Sequence, residues 1–168
     1  NVAVEQESKI QASKIKIEEG LRWYHTGNYV RAIDLYAQAL KIYPNFEAYY
    51  YLGQAETGNK NYTKARTAYE RYLSEGGAGV PADLRQTAVN EIAKLKAFEA
   101  EDSAKKQSLE LYQRGVSLHK KGEYEKALVD YESALKFYPD YRIQQGIGAA
   151  AAEIKEWDKA IQAYTAYI

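Results

Sequence analysis

The chain's two histidines, His25 and His119, each lack a second ligand at metal-binding spacing or a partner for an acid–base dyad, so both read as surface residues. With no Cys, thiolate nucleophiles, disulfides and Cys-ligated zinc or iron are ruled out, although either redox compartment remains compatible. Carboxylates such as Glu18, Glu19, Glu153 and Glu156 lie among basic neighbours, the pattern of a solvated helix face. The Gly76-Gly77-Ala78-Gly79 run lacks the Gly-Lys-Ser/Thr ending of a phosphate-cradling loop and the spacing of a dinucleotide fingerprint, so it reads as a flexible connection. The expectation is a chain with no catalytic residues, no metal and no cofactor.

Charge narrows the partners further. Lys and Arg total 23, Asp and Glu total 23, and the formal net charge is zero. No basic tail gathers phosphate contacts, so nucleic acid is not an expected partner. The longest run of Ala, Ile and Gly, from Gly146 to Ala152, is far short of the roughly 20 apolar residues a membrane-spanning helix needs, so no membrane insertion is expected in this region. What the chain has in excess is tyrosine, 17 of 168 residues. A tyrosine ring carries a large rigid apolar area with a polar tip, a combination enriched where proteins hold one another.

The elements that position those rings come from an internal duplication. Shifting the sequence by 95 residues places Gly20, Gly27, Tyr29, Ala32, Tyr36, Ala39, Leu40, Tyr43 and Pro44 on Gly115, Gly122, Tyr124, Ala127, Tyr131, Ala134, Leu135, Tyr138 and Pro139. The register continues with Gly53, Ala65 and Tyr69 on Gly148, Ala160 and Tyr164, and with Trp157 in place of Tyr62. A shorter period lies inside each block, since Gly20-Tyr29-Ala32-Tyr36 recurs 33 residues later as Gly53-Tyr62-Ala65-Tyr69.

These residues resemble the tetratricopeptide repeat, a 34-residue helix-turn-helix unit. Repeats starting at Ser13 and Ser108 fit the family's Gly, Gly, Tyr, Ala, aromatic, Ala and Pro positions. Those starting at Phe46 and Tyr141 depart from it, with Lys60 and Lys155 at the second Gly. The resemblance implies an all-α fold, an α-solenoid of helix-turn-helix hairpins with an extra amphipathic helix between two repeat pairs. Residues 1–101 would hold the first pair, with repeats at about 13–45 and 46–77 and a capping helix at about 82–100. Residues 102–168 would hold the second, at about 108–140 and 141–168. Small Gly20 and Ala32 would let paired helices approach, Tyr29 and Tyr36 would fill the space between hairpins, and Pro44 and Pro139 would stop the second helices. Eleven tyrosines at recurrent positions (29, 36, 43, 62, 69, 72, 124, 131, 138, 164 and 167) read as core.

The same resemblance implies that positions on the inner face of each first helix hold a ligand. Here they are Lys14, Ile17, Leu21, Tyr24, Tyr50 and Gln54 in the first block, and Tyr112, Val116, His119 and Arg142 in the second, with His25, Glu47, Leu109, Lys120 and Gln145 beside them. Apolar rings with a few charges suit a protein or peptide partner. The family's two-carboxylate clamp, built on Lys and Asn, would fall on Ile17 and Leu21; its absence argues against an adaptor for acidic chaperone tails. If Tyr50 faces a groove, Tyr50→Ala should leave thermal melting nearly unchanged. The competing expectation is a self-assembling array, a homo-oligomer joined through solenoid ends, because the end at Tyr164, Tyr167 and Ile168 lacks a cap. A slice of a longer array is expected from the non-Met first residue and the missing cap. A bacterial cell envelope is suggested by that start and the missing Cys, with the cytoplasm as the alternative.

Overall fold

Proline, capping side chains and left-handed turns decide where the helices start and stop. The computed structural model describes residues 2–166, among which lie eight α-helices and no strand. They are α1 (Val2–His25), α2 (Tyr29–Ile42), α3 (Phe46–Gly58), α4 (Tyr62–Gly76), α5 (Ala82–Lys120), α6 (Tyr124–Phe137), α7 (Tyr141–Glu153) and α8 (Trp157–Thr165), with a 3-10 turn at Gly77–Gly79. The fold is therefore all-α, of the α-solenoid class built from hairpins. None of the described helices is long and apolar enough to cross a membrane. Residue contacts divide the chain into two units, Asn1–Glu99 and Ala100–Ile168.

Asn28, Asn45 and Asp140 cap α2, α3 and α7, each side-chain oxygen accepting a backbone N–H from Arg31, Glu47 and Arg142, which satisfies a donor the helix itself cannot. Pro44 and Pro139 follow α2 and α6, where a missing N–H and a ring clash prevent continuation. Between paired helices the chain turns through a left-handed residue: Gly27 (φ 79°) and Gly122 (φ 77°), but Lys60 (φ 61°) and Lys155 (φ 64°) in the other two hairpins. The turn keeps its shape although the glycine is gone.

In the first unit, Ile17, Ala32, Tyr36, Ala39, Ala48 and Ala55 form one core. Tyr36 lies over Gly20 of its own hairpin and stacks on Tyr51 of the next, with centroids 5.9 Å apart. Tyr29 reaches Gly58, across to the next hairpin. Complete burial of one such side chain is worth roughly 2 to 3 kcal/mol. Beyond α4, residues 82–99 of α5 close a second core of Ala65, Tyr69, Tyr72, Val80, Ala88 and Leu95. Tyr62 stacks on Phe98 at 5.1 Å, and Arg66 bridges Glu70 and Glu99, both at 3.0 Å.

In the second unit the core is Ala127, Leu128, Tyr131, Ala134, Ile143, Ile147, Ala150 and Ala163. Ser108, buried, donates its hydroxyl to the Ala134 carbonyl (2.9 Å), as Ser13 does to Ala39 (3.0 Å) in the first unit. Arg114 holds the buried Asp130 with two hydrogen bonds of 2.6 Å, although their counterparts in the first block are Glu19 and Leu35.

Two readings of the sequence change here. Helix α1 begins well before Ser13, and α5 runs unbroken from Ala82 to Lys120, so the linker helix and the first helix of the next pair are one element. Residues 96–107 contain no Gly or Pro, and Glu101 pairs with Lys105 one turn on, at 2.6 Å, so nothing stops the helix. The assignment of eleven tyrosines to the core is also corrected. Tyr36, Tyr69, Tyr72 and Tyr131 are buried, Tyr29, Tyr43, Tyr62, Tyr124 and Tyr138 are half-buried, and Tyr164 is exposed because among the described residues no helix closes over that face of α8. Tyr167 lies outside the described residues.

Candidate functional site

The first helix of each hairpin presents the residues singled out for binding, and the structure sorts them into floor and surface. In the first unit, Ile17 is only 6% exposed and belongs to the core. Leu21 and Tyr24 are half-buried against that core, Gln54 is half-buried, and Lys14 is exposed. Tyr24 packs edgewise on His25 and tilts against Tyr29, at 5.7 and 5.6 Å.

Tyr50, on α3, has two roles at once. Its ring is within 5.1 to 5.8 Å of Tyr51, Tyr69 and Tyr72, and it also lines a cleft of about 160 Å3 whose walls are Phe46, Glu47, Tyr72, Pro81 and Leu84. Burial, then Tyr51 and the carboxylate of Glu91, push its phenol above the ordinary tyrosine range. Burial and Tyr29 do the same for Tyr24. Both hydroxyls therefore stay protonated and able to donate at neutral pH. Removing the Tyr50 ring also removes packing, contrary to the expectation that melting would be indifferent to it.

The second unit gathers more polar chemistry. Tyr112, Tyr138, Ser108, Leu109, Ile143, Lys105, Asp140 and Arg142 line a cleft of about 220 Å3. The Arg142 guanidinium sits 5.9 Å from the Tyr112 ring centre, and the Lys105 ammonium 5.1 Å from that of Tyr138. Each cation has a carboxylate beside it: Asp140 chelates Arg142 at 2.5 to 3.1 Å, and Glu101 pairs with Lys105 at 2.6 Å. Hydrogen bonding to Arg142 holds Asp140 below the usual carboxylate range, and the same bond raises the guanidinium. Lys105 is raised by its bond to Glu101. The cleft thus offers ring faces, aliphatic surface and two permanent cations, a combination that can hold an apolar side chain beside a carboxylate.

Of the residues predicted in this block, Tyr112 and Arg142 meet in the cleft. Val116 is half-buried against the core. His119, read from the sequence as a surface residue, is half-buried with its ring edge-on to Tyr124 at 5.0 Å. Lys105, Tyr138 and Asp140 were not among the predicted groove residues. A difference between the duplicates points to Lys105, because Lys105, Tyr112 and Arg142 stand where the first block has Ile10, Ile17 and Glu47, whereas Tyr138 matches Tyr43 and carries no such signal.

Comparison with known proteins gives two matches to tetratricopeptide repeat family models, at residues 18–81 and 108–141. No curated protein matches. Among solved structures, the TPR2AB domain of yeast Sti1 in complex with pHSP90 is 17% identical over 91% of this chain and 75% of that one, with a TM-score of 0.39. MamA from Desulfovibrio magneticus RS-1, residues 41 to the end, is 16% identical over 92% of each chain, with a TM-score of 0.43. YrrB, titled a TPR protein with an unusual peptide-binding site, is 20% identical over 88% of this chain and 80% of that one, with a TM-score of 0.43.

Proposed function

We propose, from the premise that this chain belongs to the tetratricopeptide repeat family, that it is a non-catalytic scaffold holding a segment of a partner protein against the first helices of its hairpins. The family is one of protein-interaction scaffolds, and the groove is the finer reading added here. In the second unit the segment lies on Tyr112, Val116, His119 and Arg142. In the first it lies on Tyr50 and Gln54, with Lys14, Leu21 and Tyr24 available on α1, while Ile17 supports the floor.

The observation that carries this reading is the cleft at Tyr112. It pairs two aromatic faces with two cations in a space of about 220 Å3, large enough for one side chain and lacking any packing role that would require Lys105 or Arg142. Both cations are exposed, so an incoming carboxylate can share them with Asp140 and Glu101. The preferred segment is mixed: an apolar side chain for the cleft with an acidic neighbour. Affinity should be moderate, because a flexible peptide loses its own freedom on docking and area alone does not set affinity.

The experiment is selection of displayed peptides on the whole chain, followed by binding measurements on Tyr112→Ala and Arg142→Ala variants that melt like the parent. Selected sequences should pair an apolar residue with Asp or Glu, and both substitutions should weaken them. Selection of sequences that ignore both substitutions would remove the support for the groove.

A further inference from the structure

The cleft of the first unit is opposite in charge to the one at Tyr112. Phe46, Tyr50, Tyr51 and Tyr72 give it four rings, Pro81 and Leu84 close one side, and Glu47 stands in its wall. A second carboxylate, Asp83, precedes Leu84 in the chain. Burial and a neighbouring ring do most to raise the phenols of Tyr50 and Tyr72, but Asp83 adds to both and Glu47 to Tyr72, so the two acids bear on the rings of the cleft. Both are exposed, and among the described residues neither is held in an ion pair, whereas Glu91 is taken up by Lys94 at 2.6 Å. Glu47 and Asp83 also stand in the first turns of α3 and α5, where a helix favours negative charge. That preference does not fix the residue, because Arg142 occupies the place of Glu47 at the start of α7. The same shift puts Gln145 and Gly146 in place of Tyr50 and Tyr51, so the twin lacks two of the rings as well as the acid.

We infer that the cleft at Tyr50 binds an arginine side chain of the partner's segment, its guanidinium among the tyrosine rings and paired with Glu47. An aromatic face attracts a cation, and the gain is largest where the cation sheds water easily. A guanidinium meets that condition better than an ammonium, because it is planar and weakly hydrated and can stack on a ring while its edge hydrogen-bonds a carboxylate. The chain uses the same pairing within itself. Arg71 lies 5.4 Å from the ring centre of Tyr49 and donates to its hydroxyl at 2.9 Å, and Arg142 lies 5.9 Å from the ring centre of Tyr112. An acidic side chain entering at Tyr50 would instead meet Glu47 and Asp83 with like charge, which sets the specificity by repulsion. The two units thus select opposite charges, a cation at Tyr50 and an anion at Tyr112. That the arginine belongs to a polypeptide segment rests on the groove reading; the charge the cleft selects does not.

The probe is the peptide acetyl-Gly-Ser-Arg-Ser-Gly-amide, with citrulline, lysine or glutamate in place of its arginine, titrated into the whole chain carrying isotope-labelled tyrosine rings. The nuclear magnetic resonance signals of Tyr50 and Tyr72, assigned with Tyr50→Phe and Tyr72→Phe, should shift saturably with the arginine peptide. Citrulline keeps the shape and loses the charge, and should bind at least about fivefold more weakly; lysine should fall between the two, and glutamate should not bind. Glu47→Gln should weaken the arginine peptide about threefold, and Glu47→Arg should abolish its binding; the residue is exposed, so the fold is retained. Citrulline binding as tightly as arginine, lysine or glutamate binding more tightly, affinity indifferent to Glu47→Arg, or no saturable shift at Tyr50 overturns the inference. Tyr112→Ala should leave the probe's affinity unchanged. Failure of the probe therefore leaves the groove reading at Tyr112 standing, and failure of that reading leaves a saturable, charge-selective shift at Tyr50 standing.

Discussion

The ring of Tyr36 occupies the space a side chain at Gly20 would need: a β-carbon built on Gly20 would lie 2.5 Å from Tyr36 Cε1. The same relationship recurs between Gly53 and Tyr69, Gly115 and Tyr131, and Gly148 and Tyr164. In three of the four hairpins the tyrosine is buried and cannot give way; in the fourth it is 44% exposed.

That contrast predicts different outcomes for one substitution. Gly20→Ala should destabilise the chain by roughly 1 to 2 kcal/mol, because the overpacking penalty exceeds the gain in helix propensity. Gly148→Ala should be within about 0.5 kcal/mol of neutral, since Tyr164 can swing outward. Urea unfolding followed by circular dichroism measures both; equal losses would mean that ring mobility does not decide the cost.

The left-handed lysines offer a gain. Lys60 and Lys155 hold φ values of 61° and 64° where the sister turns use Gly27 and Gly122. Lys60→Gly and Lys155→Gly should each stabilise by about 0.5 to 1 kcal/mol, the relief of left-handed strain partly offset by glycine's freer unfolded chain. A fall in the urea midpoint for either variant would contradict this.

Much of the fold was legible because its constraints are local and repeated. Gly20 and Tyr36 recur with fixed spacing in every hairpin because each needs the other, and Pro44 and Pro139 end helices by covalent geometry. The unbroken α5 was harder to read: the repeat pattern suggests a fresh start near residue 105, yet residues 96–107 hold nothing that stops a helix. Exposure of Tyr164 was legible from the missing cap and not from its repeat position, since burial depends on what lies over a face and not on the face's own sequence. At the candidate site, Tyr112 and Arg142 came from the resemblance, whereas Lys105, Tyr138 and Asp140 depend on where α5 and α7 meet in space.

The enclosed serines carry a smaller prediction. Ser108→Ala removes a buried hydrogen bond to the Ala134 carbonyl and should cost about 1 kcal/mol, with Ser13→Ala costing about the same. Unchanged unfolding midpoints in both would show that these bonds contribute nothing net.

Tyrosine burial sets the response to alkali. Burial raises the phenols of Tyr36 and Tyr69 far above their ordinary value, with smaller contributions from Tyr51 and Glu91 respectively, and it also raises Tyr72 and Tyr131. A raised native value means that the unfolded chain loses these protons first. Stability is therefore fully present below about pH 10 and falls as pH rises beyond it. Tyrosinate absorbance should show Tyr36, Tyr69, Tyr72 and Tyr131 ionising only as helical ellipticity is lost. Ionisation of all the tyrosines before any loss of ellipticity would contradict their burial.

The central claim is that the first helices hold a partner's segment, and the cleft at Tyr112 tests it most directly. For a peptide selected on the whole chain, affinity should fall at least about tenfold with Tyr112→Ala and again with Arg142→Glu, while Arg114→Ala, outside the cleft, leaves it unchanged. Affinity that is the same for parent, Tyr112→Ala and Arg142→Glu chains, all melting alike, would place recognition elsewhere on the molecule and contradict the account.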